Sequence, residues 1–77
     1  MRDFTIRLKS VNDVKDFVGI VNNFDYEVDL ISGRYIVDAK SIMGIFSLDL
    51  LKPIRVEFDE RETENLVSRL LPFVVSE

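Results

Sequence analysis

The sequence predicts an α+β fold in which three helices cover one face of a four-stranded antiparallel sheet, in the order βαββαβα. Four segments alternate apolar and polar residues with a period of two, which is typical of strands that have one face in water. Between them lie segments whose apolar residues recur at helical spacing. Two layers with every helix on one side of the sheet would bury all of these apolar faces together. With 77 residues, the chain has room for a single domain spanning residues 1–77.

The first strand and the first helix are predicted in the N-terminal third of the chain. Phe4, Ile6 and Leu8 alternate with polar residues and indicate the strand. Ser10, followed three residues later by an aspartate, is a good N-cap for a helix over residues 11–23, with Asn12 as the competing cap. The apolar stripe of this helix consists of Val14, Phe17, Val18, Val21 and Phe24.

A hairpin is predicted in the middle of the chain. Alternation over Tyr26–Leu30 indicates the second strand, and Tyr35–Asp38 forms a short third strand. The short turn between them contains Gly33, which can adopt a positive φ. A connection this short makes the two strands antiparallel neighbours.

The second half of the chain is predicted to hold two more helices and the fourth strand. Residues 41–48 form a short helix with Ser41 as its N-cap, and the fourth strand covers Ile54–Phe58. A capping box over residues 59–62 opens the last helix, which Pro72 closes or kinks. The core-facing residues of this helix are predicted to be Leu66, Val67, Leu70 and Leu71.

The outer face of the sheet is predicted to be charged and wet. Opposite charges on neighbouring strands would form ion pairs there, each worth about 0–1 kcal/mol. The residues expected on this face are Arg7, Lys9, Glu27, Asp29, Arg55 and Glu57.

Composition excludes several classes of function. The net charge of −4 argues against a nucleic-acid partner, which requires clustered Lys and Arg. No apolar run reaches the ~20 residues of a membrane span, and the first residues lack the apolar region of a signal peptide. The chain has no cysteine and no histidine, which fits a cytoplasmic protein without a zinc site. We predict no cofactor, no bound metal and no enzymatic activity; the acidic side chains of residues 59–64 match no calcium loop.

The segment from Phe24 to Leu48 resembles the HPr family, the histidine-containing phosphocarrier proteins of the bacterial phosphotransferase system. The residues that carry the resemblance are Phe24-Asp25, Glu27-Val28-Asp29-Leu30, Gly33 and Lys40-Ser41-Ile42-Met43-Gly44-Ile45-Phe46-Ser47-Leu48. The block Lys-Ser-Ile-Met-Gly-x-x-Ser-Leu is fairly specific, whereas the two ends of the chain match in pattern only. The resemblance implies an open-faced β-sandwich with strand order 1-4-2-3.

The phosphorylated histidine of the family has no counterpart in this sequence. Family members carry it after the first strand, in a segment of the form Gly-hydrophobic-His-Ala-Arg-Pro-Ala that caps the first helix. Residues 9–15 here read Lys-Ser-Val-Asn-Asp-Val-Lys, about three residues shorter. We therefore expect that the protein cannot carry phosphate on histidine. Ser10 or Asp13 could serve as a substitute phosphate acceptor, or both could simply cap the helix. We favour the capping role.

Ser41 is a candidate for regulatory phosphorylation. In Gram-positive relatives, the serine of this block is phosphorylated by a dedicated ATP-using kinase, and Lys40 would supply a cation beside the phosphate. The alternative is that Ser41 serves only as an N-cap.

A second implication of the resemblance is a surface that binds other proteins. In the family, the residues matching Ile42, Met43 and Phe46 form an apolar patch that docks enzymes and regulators, and we predict that Lys40 also contributes to partner binding. A short helix cannot bury all of its apolar residues on one side, so we expect some of the three to be exposed rather than in the core.

The function predicted from the sequence is therefore that of an HPr-like protein-binding or regulatory module, possible partners being a phosphotransferase-system enzyme, a kinase or a transcriptional regulator. Two alternatives stay open. One is a phosphocarrier component that uses a non-histidine acceptor, and the other is a purely structural or assembly domain.

Overall fold

The computed structural model describes residues 2–58 and 63–75. Four strands and three α-helices follow one another along these residues in the order βαββαβα, and a short 3₁₀ helix, Leu71–Phe73, follows the last α-helix. The strands are β1 (Arg2–Ile6), β2 (Val28–Ser32), β3 (Tyr35–Asp38) and β4 (Ile54–Phe58). The helices are α1 (Val11–Val21), α2 (Ile42–Phe46) and α3 (Thr63–Leu70).

The sheet confirms the predicted fold class and strand order. Its four strands are antiparallel and lie in the order β1-β4-β2-β3, and the three helices pack on one face. In the sheet centre, Leu30 of β2 lies between Val56 of β4 and Val37 of β3. The two chain halves therefore interleave, because β4 inserts between β1 and the β2–β3 hairpin.

One apolar core fills the space between the sheet and the helices. Alternate residues of β4 are buried, as the period-two pattern predicts, and α1 buries Val14, Phe17 and Val21. Two edge-to-face ring contacts help to fix the packing, Phe4 on Phe58 at 5.6 Å between ring centres and Phe17 on Phe73 at 6.2 Å. The buried apolar residues are Ile6, Leu8, Val14, Phe17, Val21, Val28, Leu30, Ala39, Ile45, Leu48, Ile54, Val56, Phe58, Leu66, Leu70 and Phe73.

Two predicted strands have different bounds in the structure. β1 ends at Ile6, opposite the first residue of β4, although Leu8 is buried as its alternation requires. β2 begins at Val28 rather than at Tyr26. In both cases the alternation continues beyond the residues that have a strand partner, because burial and strand pairing are separate requirements.

The C-terminal segment corrects one predicted core residue. Leu71 is exposed, whereas Phe73, two residues later, is buried against Phe17. The change from α3 to a 3₁₀ helix at Leu71 rotates the following side chains away from α-helical positions. Pro72 lies in this 3₁₀ helix, and the predicted capping box over residues 59–62 lies outside the described residues.

The outer face of the sheet differs from the predicted pattern of cross-strand ion pairs. Arg7, Lys9 and Glu27 lie outside the strands, so they do not belong to the paired face. Asp29 lies opposite Glu57, a like charge, and Glu57 instead pairs with Arg55 of its own strand at 3.2 Å. Burial raises the pKa of Asp29, and the neighbouring carboxylates of Glu27, Asp38 and Glu57 raise it further.

Candidate protein-binding surface

Helix α2 is a single capped turn. Ser41 has the extended backbone of an N-cap, and its Oγ accepts a hydrogen bond from the Gly44 N–H at 3.2 Å. At the other end, the Ser47 hydroxyl donates to the Gly44 carbonyl at 2.5 Å. The helix predicted over residues 41–48 is shorter in the structure, covering residues 42–46 with a serine cap at each end. The N-cap is Ser41, as predicted.

Gly44 allows α2 to lie close to β3. A Cβ at this position would be 3.3 Å from the Cβ of Val37 and 3.4 Å from the Oγ of Ser41. The contact with Val37 would be tighter than is usual for side chains, so a larger residue would need a shift of a few tenths of an ångström there.

The opposite face of α2 presents apolar side chains to solvent. Met43 is 77% exposed and Phe46 is 42% exposed, whereas Ile45 is buried. Ile42 is half-buried and packs against the core. We call Ile42, Met43 and Phe46 the α2 surface. A helix turn this short cannot bury side chains that point in opposite directions, so Met43 and Phe46 have no core to enter.

Lys40 is held in place beside α2. Its ammonium group donates a hydrogen bond to the Phe24 carbonyl at 2.6 Å, and its backbone N–H donates to the Asp38 carboxylate at 2.8 Å. The lysine therefore ties the end of β3 to the segment after α1, and its cation points to Phe24 rather than to the hydroxyl of Ser41.

A groove extends the α2 surface toward the start of α1. It has a volume of about 280 Å³ and lies between residues 7–11 and the segment that follows α2. Phe46 and Leu51 line one side, and Leu51 is 82% exposed. The guanidinium of Arg7 donates to the Leu51 carbonyl at 2.9 Å and so holds the two sides together.

Two exposed apolar residues of this groove, Val11 and Leu51, were not predicted from the sequence. Val11 is exposed at the first position of α1, but it lies three residues before Val14 and seven before Val18, at the edge of the apolar stripe, so helical spacing alone does not predict its exposure. Leu51 belongs to an apolar pair just before Pro53, but nothing in the local pattern says which of the pair is exposed. Only the packing of distant segments brings Val11 and Leu51 to one groove.

The N-terminus of α1, the place of the histidine in the resemblance, holds a capping arrangement. The Ser10 Oγ accepts a hydrogen bond from the Asp13 N–H at 3.1 Å, and the Asp13 carboxylate accepts one from the Lys9 N–H at 2.9 Å. Ser10 is the N-cap as predicted, and Asn12 lies inside the helix. Both polar side chains that could be considered as phosphate acceptors are thus engaged in capping.

Neither a metal cluster nor a membrane-spanning helix occurs among the described residues. No three Asp or Glu side chains there are arranged to hold a metal ion. In the same part of the chain, no helix has the length and apolar character needed to cross a bilayer.

Comparison with known proteins relates this geometry to phosphocarriers. No family model and no curated protein matches the chain. Among solved structures, HPr-C-His from Thermoanaerobacter tengcongensis is similar, with a TM-score of 0.78 and 24% identity over 94% of this chain and 89% of that chain. The phosphocarrier protein HPr from Bacillus anthracis gives a TM-score of 0.74 and 22% identity over 96% of each chain.

A third similar structure is a histidine-containing phosphocarrier protein of Mycoplasma, with a TM-score of 0.75 and 12% identity over 92% of this chain and 89% of that chain. Identities this low establish the fold alone. The chain has the fold of the HPr phosphocarriers, as the residues of the central block predicted.

Proposed function

We propose that this protein is an HPr-like binding module that docks a partner protein through the α2 surface and does not carry phosphate on histidine. The observation that carries the proposal is the exposure of Met43 and Phe46 on a helix turn that Gly44 presses against β3. Methionine adapts its shape to different partners, and aromatic side chains are common anchors at interfaces.

The groove beside the α2 surface supports the same proposal. Val11 and Leu51 add apolar area, and Arg7 and Lys9 line the groove with positive charge. A partner with an apolar centre and acidic groups beside it would complement this surface. The partners that we propose are phosphotransferase-system proteins or a regulator, and we place the protein in the cytoplasm with them.

The loss of carrier chemistry is the second part of the proposal. A phosphoryl carrier needs an acceptor with high transfer potential, and the 77 residues contain no imidazole. The hydroxyl of Ser10 and the carboxylate of Asp13 are both used to cap α1. These bonds support a structural role for the segment from Lys9 to Lys15, and we assign no enzymatic activity to the protein.

Ser41 is the candidate switch of this module. Its side chain is exposed, and it precedes Ile42 and Met43 directly, so a phosphate there would add negative charge at the rim of the α2 surface. Phosphorylation by an ATP-dependent kinase would then weaken or redirect partner binding. If the wild-type chain accepts labelled phosphate from ATP and Ser41→Ala does not, this role is supported. Equal labelling of both proteins would show that Ser41 is not the phosphorylated residue.

Site-specific crosslinking tests the docking surface. A photoreactive amino acid in place of Met43 should crosslink one discrete partner protein in cells, whereas the same group in place of Leu71, an exposed apolar residue on the C-terminal 3₁₀ helix, should not. The partner identified in this way can then be purified for direct binding measurements.

The binding measurement uses two charge-matched double variants. Met43→Glu with Phe46→Glu should abolish binding of the purified partner, because two carboxylates would have to be buried at the interface. Ser68→Glu with Leu71→Glu adds the same charge at exposed positions elsewhere and should leave the affinity unchanged. Equal affinity of both variants would refute the docking role of the α2 surface.

A further inference from the structure

The two edges of the sheet differ in whether another segment of the chain pairs with them. At the β1 edge, the C-terminal segment continues the pairing, because the Arg7 N–H donates to the Phe73 carbonyl at 2.8 Å and the Val75 N–H donates to the Thr5 carbonyl at 3.0 Å. At the β3 edge, no segment of the described residues pairs with the strand. An unpaired edge is a template for another strand, and proteins usually cover it or place charges on it.

The unpaired edge of β3 carries apolar side chains. Ile36 is 67% exposed and Tyr35 is 70% exposed, the former on the outer face of the sheet and the latter on the helix face. Exposed β-branched and aromatic residues on a free edge strand favour pairing with a further strand. This edge is distinct from the α2 surface.

The hydrogen-bond register shows which backbone groups are free. The hairpin turn has two residues and closes at the pair Ser32–Tyr35, and the Ala39 N–H donates to the Val28 carbonyl at 2.9 Å. In an antiparallel pair, alternate residues bond inward, so the odd-numbered residues of β3 bond to β2. The N–H and C=O groups of Ile36 therefore point outward, away from the sheet.

Charges at the two ends of this strand favour a second copy of this chain as the occupant. If two β3 strands pair antiparallel about a two-fold axis at Ile36, each Arg34, the turn residue just before β3, comes next to Asp38 of the second copy, whose carboxylate also accepts the Lys40 N–H. Opposite charges in such cross-strand positions are stabilising, and the two-fold axis produces the pair twice. Among the described residues, neither Arg34 nor Asp38 makes an ion pair within the chain.

We propose that the protein forms a two-fold symmetric dimer in which the β3 strands of two copies pair antiparallel, with Ile36 on Ile36 and Arg34 opposite Asp38. The two four-stranded sheets become one continuous sheet of eight strands. The helix face contributes Tyr35, which lies opposite Val37 of the second copy in this register. Because four-residue strands bury little area, the dimer is weak and forms at high protein concentration.

Charge reversal gives the test of this dimer. Sedimentation equilibrium at up to millimolar concentration should show the wild-type mass rising from 8.9 kDa toward twice that value. Arg34→Asp and Asp38→Arg should each stay monomeric, because every copy would then face a like charge. An equimolar mixture of the two variants should dimerise again, since both aspartates of the first variant then lie opposite arginines of the second.

Two further variants separate the β3 edge from the α2 surface. Ile36→Lys should abolish the dimer while far-UV circular dichroism shows an intact fold, because Ile36 is exposed in the monomer. Met43→Glu should leave the dimer unchanged, so that the result does not depend on the α2 surface. A wild-type chain that stays monomeric, a dimer that Arg34→Asp does not weaken, or a mixture that stays monomeric would each overturn the proposal.

Discussion

At the scale of single residues, Ser41 shows how one hydroxyl can shape the candidate binding surface. Its Oγ accepts the N–H of Gly44 and so fixes the first turn of α2, from which Met43 and Phe46 project. A five-residue helix has little stability of its own, and its caps and its packing hold it together. The orientation of the exposed apolar side chains thus depends on this bond.

Removal of the cap is the first prediction at this scale. Ser41→Ala should lower the free energy of unfolding by about 1 kcal/mol, because the Gly44 N–H loses its acceptor. Ser41→Asp should stay close to the wild type, since a carboxylate can accept the same bond. Urea denaturation measures both values, with the exposed Ser68→Ala as the control. Equal stability of Ser41→Ala and the wild type would contradict the capping role.

Asp29 gives a prediction about pH dependence. Its pKa is raised above the ordinary value of 3.8 by burial and by the neighbouring carboxylates, so the folded state holds the proton more tightly than the unfolded state. Stability from this group is present below the ordinary value and falls as pH rises through the raised pKa.

Asp29→Asn should therefore increase the free energy of unfolding at neutral pH and lose this advantage in acid, below the ordinary carboxyl pKa. Urea denaturation of both proteins across this pH range gives the difference directly. The wild type serves as the reference at each pH, which cancels the titration of the other carboxyl groups. A difference that stays constant with pH would show that the charge of Asp29 is not its cause.

At the scale of secondary-structure elements, the sequence pattern predicted the type and order of the four strands and three α-helices and the bounds of two strands, but not the 3₁₀ helix Leu71–Phe73. β3 and β4 have the predicted bounds, because their alternation ends where their pairing ends. For β1 and β2, the alternation includes Leu8 and Tyr26, which lie beyond the strands. Periodicity reports burial, and burial continues after the last hydrogen-bonded pair.

The α2 surface could be predicted from the sequence only in part. Too many apolar residues in one short turn indicated that some would be exposed, but the pattern did not say which; in the structure Ile45 is buried, and Met43 and Phe46 are exposed. The groove next to Phe46 could not be predicted, because it forms between residues 7–11 and residues 46–51 only after packing.

The C-terminal segment supplies a prediction at the same scale. Phe73→Ala should destabilise the protein by about 3–5 kcal/mol, because Phe73 is buried against the ring of Phe17 and closes the core beside α1. Leu71→Ala, two residues away and exposed, should change stability by no more than about 0.5 kcal/mol.

Thermal or urea unfolding of these two alanine variants distinguishes the observed packing from the α-helical continuation that the sequence suggested. Under that continuation Leu71 would face the core, and Leu71→Ala would be the costlier change. A larger loss of stability for Leu71→Ala than for Phe73→Ala would therefore contradict the observed arrangement.

At the scale of the whole molecule, the chain has the fold of the HPr phosphocarriers and contains no histidine. The similar solved structures cover 92–96% of this chain. Where the resemblance places a histidine, Ser10 caps α1, and the apolar α2 surface lies beside the groove that this segment lines. The apolar α2 surface and the capped start of α1 are the two features on which the proposed binding function rests.

Phosphoryl transfer from phosphoenolpyruvate tests the central claim most directly. The protein is incubated with purified enzyme I of the phosphotransferase system and labelled phosphoenolpyruvate, with a histidine-containing HPr as the positive control. We expect full labelling of the control and no label on this chain, because it has no imidazole. Stoichiometric label on this chain would show that it carries phosphate on another acceptor and would contradict the proposed loss of carrier chemistry.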